Sequence, residues 1–186
     1  SLAALLSDAA KQGDFEFKAG RCLYLHRPAA TKAARLVFVA AKDGSAKAFK
    51  AAVAIGLGQL KALGMTDLAV ASVGGEALTA AHAEALVLAA SDAVYVYRQT
   101  KPSAPAAPKL ATVALVAGKA QVAALAKGLR QGQALAAGVG LARECANRPG
   151  NHATPRHLAA DAKRLGKEFG FKVEVFDRKQ IEKIGM

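Results

Sequence analysis

The chain has 186 residues, 53% of them apolar, which is enough for one domain, or one domain with part of a second, and too apolar for disorder. Its 26 basic against 14 acidic residues leave a net charge of +12. These cations are scattered rather than gathered into a block or interleaved with exposed aromatics, which favours a solvated basic surface over a single-strand nucleic-acid groove. No apolar run reaches the roughly 18 residues of a membrane span. The longest, residues 77–96, is interrupted by His82, Glu84, Ser91 and Asp92.

The first strand signal is Arg21 to His26, ended by Pro28. Arg35 to Ala40 (RLVFVA) reads as a second strand, apolar enough to be buried on both faces. Ser45 then fits the N-cap of a helix to Leu63, with Phe49, Val53, Leu57 and Leu60 on its apolar stripe and Gly64 after its end. Asp67 to Ser72 is a third strand, and Gly74-Gly75 turns the chain into a helix from Leu78 to Tyr97. The three prolines of Lys101 to Pro108 mark a surface connection, followed by a strand from Leu110 to Val116.

A long helix is expected from Lys119 to Cys145, lined on one side by Val122, Leu125, Leu129, Leu135, Val139 and Ala142. It would reach roughly 40 Å, the length of a strut between domains. Gly128, Gly132, Gly138 and Gly140 weaken it by up to about 1 kcal/mol each, so packing must hold it. Thr154 and Pro155 then open a helix to Phe169, closed by Gly170. Lys172 to Phe176 alternates like a strand, and Asp177 caps a short helix to Ile184. A lone strand between two helices cannot pair its own backbone, so residues 147–186 read as the start of a larger folding unit.

No motif assembles a reactive centre. Gly56-Leu57-Gly58 and Gly138-Val139-Gly140 lie inside helical patterns, where close helix packing explains them better than a dinucleotide turn. Gly118-Lys119 opens a helix after a strand but lacks the remainder of a P-loop. Gly74-Gly75 could hold an anion on its backbone amides, although a tight turn is the simpler reading. His152 and His157 stand five apart, without a third ligand or the helical spacing of a metal pair. His26 and His82 are isolated. Cys22 and Cys145 read as reduced thiols packed as small hydrophobes, a long-range disulfide being the alternative. No GxSxG elbow is present. Catalytic, metal-ligating and cofactor-binding residues are thus all assigned as none.

Leu141 to Met186 carries the most specific pattern: Ala142-Arg143, Asn147-Arg148-Pro149, Asn151, Thr154-Pro155, Leu158-Ala159, Val173-Glu174-Val175 and Ile181 to Met186, in that order. This stretch resembles the junction region of the leucyl aminopeptidase (cytosol aminopeptidase) family. More loosely, Phe17 to Gly20, the RLVFVA strand, Leu63-Gly64 and Tyr95 to Lys101 look like that family's variable amino-terminal domain.

The resemblance implies an α/β fold: a mixed-sheet, macro-domain-like amino-terminal domain over residues 1–117, a linking helix over 118–146, and the beginning of a metallopeptidase catalytic domain over 147–186. It implies a parent enzyme that uses two divalent metal ions, Zn or Mn, to release amino-terminal residues from peptides, Leu preferred. The family's Asp-x-Gly-Gly and Asn-Thr-Asp-Ala-Glu-Gly-Arg metal-binding segments do not occur in the chain, so it alone is expected to be inactive and to serve assembly. The expected partners are its own catalytic domain, further copies in a homo-hexamer, and peptide substrates for the parent, with DNA as a possible ligand and no membrane. No secretory signal is visible, so the expected location is cytoplasmic. The opening at Ser1 and the lack of the family's earliest strands carry the expectation of a missing or processed start. A basic nucleic-acid-binding regulatory module is the rival reading. A nucleotide-ribose binder stands on analogy with macro domains alone.

Overall fold

The computed structural model describes residues 1–29, 31–74 and 77–186. Among them the chain runs α1 (Leu2–Gln12), β1 (Cys22–His26), β2 (Arg35–Val39), α2 (Ala46–Lys61), β3 (Asp67–Ala71), α3 (Ala80–Val94), β4 (Thr112–Val116), α4 (Val122–Asn147), α5 (Pro155–Phe169) and α6 (Arg178–Lys183). A short 3₁₀ turn, Lys119–Gln121, leads into α4. The fold is mixed α/β: β1 and β2 form an antiparallel pair and β3 and β4 a parallel pair. The backbone divides into two compact units, Ser1–Val96 with Pro105–Gly140, and Tyr97–Ala104 with Leu141–Met186.

In the first unit, local signals set the helix ends. The Ser45 hydroxyl accepts the Ala48 N–H at 3.2 Å, as its N-cap position predicts, and Val53, Leu57 and Leu60 are buried along the stripe of α2. The sequence pattern did not single out α1. Ser1 caps it by accepting the Ala4 N–H at 3.3 Å, and Gly13 ends it at φ 84°, a left-handed conformation that glycine adopts at no steric cost.

The core lies where α2 meets α3. Leu57 is 0% and Leu86 1% exposed, with Val53 and Ala89 beside them. Leu68 and Val70 of β3 and Val113 and Leu115 of β4 lean on this cluster from one face of the parallel pair. Their alternation with exposed neighbours is the signature of a strand covered on one side. The expectation that RLVFVA is buried on both faces is corrected: every residue of β2 is half-buried. A two-stranded hairpin shields its members less than the interior of a wide sheet does.

The face used by α4 also differs from the expected line. Leu125, Gly128 and Gly132 are buried and Leu129 is partly so, whereas Val122, Leu135 and Val139 are 56%, 47% and 41% exposed. The reason is contact distance. A Cβ at Gly128 would collide with the Ala80 carbonyl, and one at Gly132 would sit 2.9 Å from the Val87 Cβ and 3.0 Å from the Glu84 Cα. Two glycines four apart share a helix face, so α4 meets α3 backbone to backbone there. The packing role foreseen for the Gly138 and Gly140 pair is not seen, since a Cβ at either would meet no described atom within 4 Å.

The second unit holds α5, α6 and the extended chain between them. Thr154 caps α5 with Pro155 in its first turn, and Gly170 closes it at φ 74°. The chain then doubles back on α5: the Phe171 N–H donates to the Gly166 carbonyl at 3.1 Å, and Val173 lies so near that a Cβ on Gly166 would be 2.6 Å from its Cγ2. The strand expected at Lys172 to Phe176 is corrected to an extended segment with no ladder partner among the described residues. A strand is defined by its neighbour, and alternation in sequence supplies none. Asp177 and Gln180 cap α6 reciprocally at 2.9 and 2.8 Å.

Candidate functional site: the Arg148 junction

The residues with catalytic or ligating chemistry are dispersed. His152 is exposed in the turn after α4, where its N–H donates to the Pro149 carbonyl at 2.7 Å. His157 is exposed and its Nδ1 lies 2.9 Å from the Thr154 hydroxyl, at the cap of α5. His26 is exposed on β1 opposite Arg35. Cys22 and Cys145 are free and half-buried, less enclosed than small core hydrophobes would be. Among the described residues, no three His, Cys, Asp or Glu side chains converge to hold a metal ion. These residues do not supply the donor set for the two-metal site that the resemblance implies.

The glycine candidates are equally structural. Gly118 precedes the 3₁₀ turn, where its N–H donates to the Gln121 side chain at 3.2 Å, a local cap rather than a phosphate cradle. Gly56 makes ordinary contact with Val39, 3.6 Å from where a Cβ would be. Gly74 is in the left-handed half of backbone space at φ 158°, and Gly75, the other half of the proposed anion turn, lies outside the described residues. A shallow cavity of about 140 Å³ is lined by Gly13, Asp14, Phe15, Glu16, Arg21 and Cys22. Small-molecule sites usually enclose roughly 300–1,000 Å³, and Glu16 is already engaged by Lys18 and Arg21, each at 3.4 Å.

Two side chains do more than the sequence reading assigned them. His82, set aside there as isolated, is 8% exposed and sits at the third position of α3. Its Nδ1 accepts the Thr79 N–H at 3.2 Å, and its Nε2 lies 2.9 Å from the Gly44 carbonyl. A neutral ring that accepts at Nδ1 carries its proton on Nε2, so the two bonds together fix one tautomer. The ring thereby ties the start of α3 to the turn ahead of α2, and it meets Phe49 in a T-shaped contact with 5.4 Å between centroids. The Thr-x-x-His spacing was the available signal, since it places a side chain opposite a cap.

Arg148 is the second. It immediately follows α4, and its Nε donates to Gln99 Oε1 at 3.0 Å while Nη1 donates to Asp161 Oδ2 at 2.7 Å. The Arg148 and Asp161 side chains are only 13% and 22% exposed, so this ion pair is sheltered from water. The Asp161 carboxylate raises the Arg148 guanidinium above its ordinary range. One planar cation thus fastens the Tyr97–Ala104 segment and α5 to the end of the long helix, all inside the second unit. Its forked geometry suits holding and orienting. In sequence it was only the unspecified middle residue of Asn-x-Pro.

Comparison with known proteins gives this architecture its family. Residues 1–103 match the model of the cytosol aminopeptidase family, N-terminal domain. A probable cytosol aminopeptidase of Methylibium petroleiphilum is 57% identical over 182 residues, covering 98% of this chain and 37% of the relative. One of Polaromonas naphthalenivorans is 42% identical over 190 residues, covering all of this chain and 36% of the relative. The chain thus spans little more than a third of the length of these relatives. In fold it is similar to a mutant of tomato leucine aminopeptidase, with TM-score 0.76, 22% identity, and coverage of 100% of this chain and 37% of that one. It also resembles the bottromycin maturation enzyme BotP in complex with Mn, with TM-score 0.74, 20% identity, and coverage of 95% of this chain and 36% of that one. The chain belongs to the cytosol aminopeptidase family and carries that family's amino-terminal domain.

Proposed function

We propose that this chain is the amino-terminal portion of a metal-dependent leucyl aminopeptidase, which removes amino-terminal residues from peptides with Leu preferred. The observation that carries the reading is the 57% identity across 98% of the chain to a probable cytosol aminopeptidase of which it covers only 37%. In this reading residues 1–117 form the amino-terminal domain, 118–146 the linking helix and 147–186 the beginning of the catalytic domain. The extended segment after α5 supports that division, because its backbone and its half-exposed Phe171, Val175 and Phe176 call for a partner that further chain would supply.

Two divalent ions, Zn or Mn, would be held by the remainder of the parent, where they would activate the water that attacks the peptide carbonyl. The Mn named with BotP supports metal dependence. The contribution of residues 1–186 is assembly: packing against the catalytic domain and taking part in a homo-hexamer in the cytoplasm.

The test is hydrolysis of Leu-amide in the presence of Mn²⁺ or Zn²⁺. The parent polypeptide turns the substrate over, and the purified 186-residue chain does not. Metal-dependent turnover by the chain itself, persisting through purification to constant specific activity, would overturn the proposal. The intact mass of the native polypeptide provides an independent check on whether the catalytic portion is covalently attached.

A further inference from the structure

We draw no further inference here: the strongest candidate, the exposed apolar middle of α4 around Leu135 and Val139, carries nothing because nothing in the structure shows what covers it.

Discussion

The two compact units bury their apolar residues very differently. In the first, Leu57 and Leu86 are sealed between α2 and α3, and both strands of the parallel pair close on them. Among the described residues of the second, Gly166 alone is buried, while Phe169, Phe171, Phe176 and Ile184 are 66%, 52%, 46% and 56% exposed. Yet the helices of both units are equally well capped, by Ser45 in one and by Thr154 and Asp177 in the other. Caps are made within a few residues of chain, whereas a core needs two layers facing each other. Good local structure therefore does not report how well a unit encloses its large apolar side chains.

The sharpest way to break this contrast is to truncate one large residue in each unit. Leu57→Ala or Leu86→Ala should cost about 3 kcal/mol in urea unfolding, because each leaves a cavity among fully enclosed neighbours. Phe176→Ala, at a half-exposed position, should cost well under about 1 kcal/mol in the same chain. Equal costs would show that the second unit has a core of its own.

Glycines of α4 offer a smaller, two-signed test. Gly128→Ala should destabilise by about 1–3 kcal/mol, since the new methyl must displace the Ala80 backbone. Gly138→Ala meets open space and should instead stabilise by up to about 1 kcal/mol through helix propensity. Thermal melts of the two variants that move in the same direction would refute the backbone-to-backbone contact of α3 with α4.

Arg148 sharpens the comparison from the other side, because the second unit is held by a polar fastener where the first has apolar packing. Arg148→Lys keeps the charge but loses the fork that reaches Gln99 and Asp161 together. Amide hydrogens of residues 97–104 should exchange faster in this variant, while those of α2 and α3 keep their rates. Unchanged exchange at 97–104 would remove the fastening role.

The smallest effect is acid sensitivity of the first unit. Hydrogen bonds from Thr66, at 2.6 Å, and from Thr112 hold the Asp67 carboxyl below the usual aspartate range. A carboxylate whose folded pKa is depressed stabilises the fold above its unfolded value, and that contribution disappears as pH falls through the folded value. Asp67 and Thr112 are register partners across β3 and β4, so the loss should appear as weaker pairing of those strands in acid. Asp67→Asn should flatten the decline of stability below about pH 4. An acid profile identical to that of the unsubstituted chain would show that these hydrogen bonds do not favour the charged form.

Much of the architecture was readable from residue order. Ser45, Thr154-Pro155, Gly170 and Asp177 gave helix ends that the structure keeps, because a cap is a bond between residues three apart. The strand signals at Asp67 to Ser72 and Leu110 to Val116 also persist, as β3 and β4. The Leu141 to Met186 pattern carried the family, which the comparisons then showed through the amino-terminal domain.

Other features depended on what lies opposite. The sequence could rank α4's leucines by periodicity, but only the approach of Ala80 and Glu84 selects the Leu125–Gly132 face and leaves Leu135 and Val139 outside. The alternation of Lys172 to Phe176 expresses a capacity to pair, and among the described residues no strand pairs with it. The roles of His82 and Arg148 were hidden because their partners, Gly44 and Gln99, are 38 and 49 positions away. Capping, periodicity and family membership were thus settled within the sequence itself. Which face of a helix is buried, and which polar side chain joins distant segments, was decided by the tertiary structure, because those outcomes depend on distances between atoms far apart along the chain.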